Sequence, residues 1–410
     1  MAAFGCKTLS SIQKHMAYWI LQKLLSSRNR DIAVEGLASA PAESHDPIIL
    51  KLPNLYQMIK ILIRPDVMIG QAYVDGAWTV QPEKLYDFLL LILSQEDSRL
   101  QNWFVLASRF HLIRDAFKQR VFPIRSTRAV AEHYNSDPSF ISLVLGPSLS
   151  YTCAFFNDDC DSLEDAQNRK LEMICERAAI LEGHNVLELG VGWGASAFPL
   201  AEKNHCNVTG LTISEAQERF CNARKNESVA KDRLDFLRVD YAEYRPSSPF
   251  DRVISVGMLE HVGKYQYRKF FDKVASFMKP KGVALIHSMV QEQETSPDAW
   301  LDKNIFPGGY IPTIYEVVAG IERSSCQLVE LFTHPKEYYF RTLECWKQNL
   351  FESREECKQV LEKQGLSGKE ALTIIRIWEY FLSSSQIAFS AKYGRCRVAH
   401  FLVKRKIEHA

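Results

Sequence analysis

The sequence predicts an α/β fold, with a doubly wound, mainly parallel sheet from about residue 131 onward and a smaller, mainly helical region before it. Three observations carry that expectation. Beyond Lys170 short apolar runs alternate with helical segments, the first of those runs ends in a glycine-rich turn, and before residue 130 the pattern is helical with proline punctuation. Strand-helix alternation implies parallel strands joined by crossover helices. Ligands of such sheets bind beyond the carboxyl ends of the strands.

Composition excludes several classes. The 410 residues balance 50 Lys+Arg against 49 Asp+Glu with 46% apolar residues, so collagen-like, disordered and disulfide-miniprotein chains are out. The global balance lacks the basic excess of a nucleic-acid binder, and no nucleic-acid partner is expected. Ten cysteines are scattered without a CxxC pair, and no His pair sits at zinc-ligand spacing. Reduced thiols, a cytoplasmic location and no metal are the expectation. The apolar run 88–93 is far shorter than the roughly 18 residues that a membrane span requires.

The elements follow in order. Residues 1–30 carry Lys7, Lys14, Lys23, Arg28 and Arg30 and no acid, with Ile12, Met16, Trp19, Ile20 and Leu24 at helical spacing. This is a basic amphipathic arm, open to three readings: a helix docked on the protein, a membrane-surface element or a transit segment. With the linker that follows it spans 1–47. Residues 48–130 form the mainly helical N-terminal domain, punctuated by Pro53, Pro65 and Pro82, with 70–78 expected to be extended. A second basic stretch, 108–128, reads either as a solvated face or connector, or as a contact for anionic lipid or phosphate. The catalytic domain is expected over 131–410. Its strands are read at 185–190, 208–213, 234–239, 252–256 and 282–287, and the clearest helix has Tyr267, Phe270, Phe271, Val274, Phe277 and Met278 on one face.

The first strand ends in Gly190-Val-Gly192-Trp-Gly194-Ala195. Glycines let the backbone turn tightly and approach a ligand closely. Gly190, Gly192 and Ala195 fit the loose dinucleotide pattern, so a nicotinamide enzyme is one reading. Such a site requires an acid closing the second strand, and that strand closes with Thr212-Ile213-Ser214. Glu188 before the first glycine and Asp240 after the third strand instead match the acidic placements of S-adenosylmethionine (SAM) methyltransferases.

Residues 151–156 (Tyr-Thr-Cys-Ala-Phe-Phe), 186–194 (Val-Leu-Glu-Leu-Gly-Val-Gly-Trp-Gly), 210–217, 251–263 and 304–309 (Asn-Ile-Phe-Pro-Gly-Gly) resemble, in order and spacing, the motifs of the cyclopropane-fatty-acyl-phospholipid synthase family. Mycolic acid methyltransferases and plant alkaloid N-methyltransferases are related to it. The resemblance runs from about 48 to 405 and implies a Rossmann-like SAM-dependent methyltransferase domain with the smaller helical domain ahead of it. It implies transfer of a methyl(ene) group to the cis double bond of an unsaturated phospholipid at a membrane surface, through a carbocation. A bound bicarbonate would serve as base. The implied partners of that ion are Cys153, Glu260, His287 and Tyr339, with the amide of Met289.

For SAM the resemblance implies Tyr151 and Thr152 near the cofactor, the loop of Gly190, Gly192, Trp193 and Gly194 under its methionine part, Thr212 and Gln217 at the ribose, and Tyr241 near adenine. Glu188 and Asp240 complete the set. Each residue also has a plain structural reading: Cys153 as a small buried residue, His287 as a core histidine, Glu260 with His261 as a helix cap, and Tyr339 and Trp193 as packing. Departures from the family cluster at 133–138, at Leu145-Gly146-Pro147 and at 383–390, where the acyl substrate would lie, and Val191 replaces a common Cys in the glycine loop. Other open readings are a methyl-branched lipid or small-molecule C- or N-methyl product, and a non-catalytic lipid- or SAM-binding regulator. Peripheral association with a membrane is expected, and a homodimer is left open.

Overall fold

The computed structural model describes residues 32–34, 47–51, 54–93, 137–295 and 297–406. The basic arm 1–30, Pro53, the stretch 108–128 and the departure at 133–135 lie outside the described residues. The chain divides into two compact units. One gathers the described residues before 124 with Asp298–Ile305 and Arg354–Ile387, and the other gathers the described residues of 125–297 with Phe306–Ser353 and 388–406.

The first unit opens with a parallel pair, β1 (Ile32–Val34) and β2 (Ile48–Leu50). Helix Leu55–Ile63 is capped by Asn54, whose side chain accepts from the Gln57 amide at 2.9 Å. Pro65 starts the next helix, Pro65–Val74, at the one helical position where its missing N–H costs nothing. The expected extended segment 70–78 is therefore helical through Val74. Gly70 is needed for close packing, because a Cβ there would stand 2.6 Å from the Tyr380 ring and 2.8 Å from Trp300. Long helix Gly368–Ala388 supplies the far side of this unit.

Tyr73 donates its hydroxyl to Glu379 Oε2 at 2.8 Å, and Arg354 Nε donates to Glu379 Oε1 at 3.0 Å. Glu379 is buried, so each donor offsets part of its desolvation. Tyr73→Phe is expected to cost about 1–3 kcal/mol, read as a lower denaturant midpoint with an unchanged slope.

The second unit is built on seven strands: β3 (Asn185–Leu189), β4 (Asn207–Thr212), β5 (Leu234–Arg238), β6 (Phe250–Val256), β7 (Met278–Gln291), β8 (Cys326–Thr333) and β9 (Cys396–Arg405), ordered β5-β4-β3-β6-β7-β9-β8. The first five in that order pair in parallel, and β9 is antiparallel to both β7 and β8. Five of the strands match the apolar runs of the sequence. The fifth is longer than read: it continues to Gln291, which puts His287 inside the strand rather than at its end.

Alternation along each strand gives the sheet two apolar faces. Leu187, Leu189, Val253, Ala284, Ile286 and Phe401 pack with helix Tyr267–Phe277 on one side. Val186, Val208, Ile254, Leu285 and Leu402 pack on the other with Phe198, Cys221 and residues of helix Leu163–Arg177. The strand order reverses between β3 and β6, the point at which open sheets of this kind form their ligand crevice.

Candidate functional site

The turn after β3 carries Gly190, Gly192 and Gly194, all at positive φ (79°, 56° and 81°). Side-chain-bearing residues avoid that region. A Cβ on Gly194 would lie 2.6 Å from the Phe198 ring, whereas one on Gly192 would meet nothing within 4 Å. So Gly194 serves packing, and Gly192 faces open space. Trp193 is buried and packs edge-to-face against Phe220 at 5.4 Å.

Glu188, inside β3, is 2% exposed, and burial pushes its carboxyl up to about 8. Its Oε2 is buried with no hydrogen-bond partner among the described residues. At the end of β4, Thr212 donates its hydroxyl to Gln217 Oε1 at 2.7 Å, and both are buried. Asp240 accepts from the Ala242 amide at 2.8 Å and so shapes the turn that holds Tyr241, whose ring stands 5.5 Å from Phe270. After β6, Gly257 approaches Thr152 so closely that a Cβ would lie 2.7 Å from its methyl group. The Tyr151 ring packs 5.6 Å from Trp346 and 6.3 Å from Phe306. These residues fit SAM: the glycine turn leaves the backbone open at Gly192, next to β3, whose buried Glu188 has a carboxyl oxygen without a partner among the described residues.

The second constellation lies on the long strand. Glu260, in a short turn Leu259–His261, is 5% exposed, and burial pushes it up to about 7. Its Oε1 accepts from the Met289 amide at 2.7 Å, while Oε2 is buried without a partner among the described residues. The carboxyl does not cap the following helix, whose N-cap is Gln266. The Met289 amide, assigned to the ion by resemblance, is engaged by Glu260.

His287 and Met289 point to one face of β7, and the residues directly opposite on β9 are His400 and Val398. Val398 packs with Cys153 and Phe155, and Tyr339 joins that cluster. Phe155 in turn stacks over His287 with centroids 5.9 Å apart. One continuous set of contacts thus links Cys153, Glu260, His287 and Tyr339. Cys153 is 1% exposed, and burial pushes its thiol up, so it is a neutral S–H and not a thiolate nucleophile. Tyr339 is half-buried, 4.4 Å from Phe389.

Four residues here escaped the sequence reading: Lys170, Arg177, His334 and His400. Lys170, buried on helix Leu163–Arg177, donates to Ser150 Oγ at 2.6 Å, Thr152 Oγ1 at 2.8 Å and Gln167 Oε1 at 2.6 Å. It thereby fixes the segment that bears Tyr151, Thr152 and Cys153. Burial lowers it to about 8. Arg177, two turns along the same helix, reaches His334 and His400. A lysine at helical spacing between Ala166 and Ile174 was the available signal. Among the described residues no cluster of three or more His, Cys, Asp or Glu could hold a metal ion, and no helix is long and apolar enough to cross a membrane.

A family model described as Mycolic acid cyclopropane synthetase matches residues 123–399. Cyclopropane-fatty-acyl-phospholipid synthase of Escherichia coli (strain K12) is 32% identical over 316 residues, covering 74% of this chain and 75% of that protein. (S)-coclaurine N-methyltransferase of Papaver somniferum is 25% identical over 281 residues, 67% of this chain and 79% of that one. Among solved structures, cyclopropane synthase MmaA2 from Mycobacterium tuberculosis superposes with a TM-score of 0.61 at 24% identity, covering 68% of this chain and 98% of that one. Coclaurine N-methyltransferase bound to N-methylheliamine and SAH gives 0.63 at 19% identity, covering 85% and 99%. Fold and sequence together define a Rossmann-like, SAM-dependent methyltransferase. The chain belongs to the mycolic acid cyclopropane synthetase family.

Proposed function

We propose that this methyltransferase is of the cyclopropane-fatty-acid synthase type, acting on the cis double bond of an unsaturated phospholipid acyl chain at a membrane surface, with bicarbonate as base. The observation that supports it is Glu260, a buried carboxyl with one oxygen on the Met289 amide and the other without a partner among the described residues. When bound, SAM supplies the methyl group that the alkene π electrons attack; the charge left on the other alkene carbon is discharged when the new methyl loses a proton and the ring closes. Glu188, Gly190, Gly192, Thr212, Gln217, Asp240, Tyr241, Tyr151 and Thr152 would hold SAM.

Bicarbonate would supply a small base that also carries its own O–H. Glu260 would accept that hydrogen, and His287, Cys153 and Tyr339 would hold the remaining oxygens. Buried Phe155 and Val398 keep water, which would trap the cation, away from this part of the site. Lys170 keeps the segment 150–152 in place through its three donated hydrogen bonds.

Incubation with SAM and vesicles of cis-unsaturated phospholipid is expected to give lipid one methylene heavier with its alkene lost, read by mass spectrometry. Unchanged lipid overturns this reading. A second reading, a methyl-branched lipid or C- or N-methylation of a small molecule, draws support from the likeness to (S)-coclaurine N-methyltransferase. Methyl transfer with retention of the alkene, or to an amine, would favour it.

A further inference from the structure

Val283, Leu285, His287 and Met289 share one face of β7. The sheet face that packs Leu285 and Leu402 on helix Leu163–Arg177 thus turns polar toward its carboxyl half, where His287 lies opposite His400. The helix meets that polar patch with a cation. Arg177 Nη1 stands 2.8 Å from His400 Nδ1 and 3.0 Å from His334 Nε2. His400 Nε2 stands 3.0 Å from His287 Nδ1. Phe155 stacks on His334 at 4.1 Å, and the Arg177 guanidinium lies 3.8 Å over the Phe332 ring, so the geometry is walled in by aromatic faces.

The direction of this chain follows from what each group can do. A guanidinium only donates, and Nη1 has two hydrogens, one for each imidazole. His400 Nδ1 and His334 Nε2 must therefore accept, and both rings are neutral. A neutral ring that accepts at Nδ1 carries its proton on Nε2, so His400 donates to His287 Nδ1. His287 must in turn carry its proton on Nε2. A His287 imidazolium would present Nδ1–H to His400 Nε2–H, donor against donor. Burial and the nearby positive charges of Lys170 and Arg177 disfavour cationic rings in the same direction.

We propose that Arg177 is a positioning residue which, acting through His400, locks His287 as a neutral imidazole with its proton on Nε2, a permanent hydrogen-bond donor in the site. This rests on the reading of Cys153, Glu260, His287 and Tyr339 as an anion site. His287 is then an anchor for an anion oxygen and never the proton acceptor, and the basic function falls to Glu260 and the anion it would hold. His334 takes the second hydrogen of Arg177 Nη1 and so holds the guanidinium beside His400.

The test uses the full-length protein with ¹⁵N-labelled histidine, the His287 signals being assigned by their loss in His287→Asn. The expected parent spectrum shows His287 Nε2 protonated and Nδ1 bare, with no substrate needed. Arg177→Met and His400→Phe remove the donor chain. They are expected to give mixed His287 tautomers and a roughly 10–100-fold lower kcat with the KM for SAM unchanged, while Arg177→Lys, which still donates, restores most of both. A parent spectrum with His287 protonated on Nδ1, or as imidazolium, overturns the proposal even if neither Arg177→Met nor His400→Phe folds. So does a tautomer that ignores Arg177→Met, or a kcat that ignores a changed tautomer. Failure of the lipid assay alone, with the expected spectrum, removes the anion-site reading and leaves the tautomer lock standing.

Discussion

Glu260→Gln is expected to lower kcat by roughly 10²–10⁴-fold, the usual worth of a positioned acid or base, with SAM affinity by calorimetry unchanged. Glutamine keeps the shape and one acceptor for the Met289 amide, so the loss isolates the ionised oxygen Oε2. The pH profile gives the second arm. Burial raises Glu260 from 4.5 to about 7, so the parent rate is expected to rise with pH through about 7 and level off above it as the carboxylate forms. The Glu260→Gln profile should lack that limb. For stability the sign is opposite: a raised carboxyl binds its proton more tightly in the folded protein, so its contribution is fully present below 4.5 and is lost as pH rises through about 7. A parent protein that becomes more active and slightly less stable over that window reports one group by two measurements. A Glu260→Gln enzyme as fast as the parent would remove Glu260 from the chemistry.

The glycine turn gives the other large effect, and two of its members should separate. Gly194→Ala combines a left-handed φ of 81° with a Cβ 2.6 Å from the rigid Phe198 ring. Strain of about 1–2 kcal/mol and overpacking of about 1–3 kcal/mol should together lower the denaturation midpoint sharply. Gly192→Ala carries the strain alone, because nothing stands within 4 Å of its added carbon. It should leave most of the stability and still weaken SAM binding more than tenfold, since the methyl group would occupy the approach of the ligand. A Gly192→Ala protein that titrates SAM like the parent would move the cofactor away from this turn.

What was legible follows from where each signal resides. The five parallel strands could be read because each is a short apolar run closed by a turn, and the glycine turn because positive φ at three positions admits little else. The edge pair was not. β8 buries only Cys326 and leaves its other residues half-buried or exposed, and β9 pairs with β7 across an excursion of more than a hundred residues, whose register no local pattern encodes. The four candidate anion partners were readable only through family spacing; the contacts through Phe155 and Val398 that join them depend on that register. The same is true of Arg177, His334 and His400, which meet across 157 and 223 residues. His400 offered one faint sign, a histidine inside the apolar run 398–403. The segment 70–78 was misread because Gly70 looks like a strand or turn residue, whereas it is a helical glycine that makes room for Trp300 and Tyr380.

The first unit has a consequence for how the chain is made. Its helix Pro65–Val74 is completed by Trp300 and by the helix that bears Glu379, and the Tyr73–Glu379 contact spans 306 residues. At ribosomal rates of about 5–20 residues per second, Tyr73 waits on the order of tens of seconds for its partner. Through that interval the N-terminal helices are translated but lack the cover that Trp300 and the Glu379 helix give them, while the five parallel strands β3 to β7 are made and can pair with one another. Chaperone dependence should therefore fall on the N-terminal helices, although they leave the ribosome before the sheet does. A chain that stops short of residue 387 leaves that unit uncovered and also lacks β9, so β7 and β8 each lose the strand that joins them.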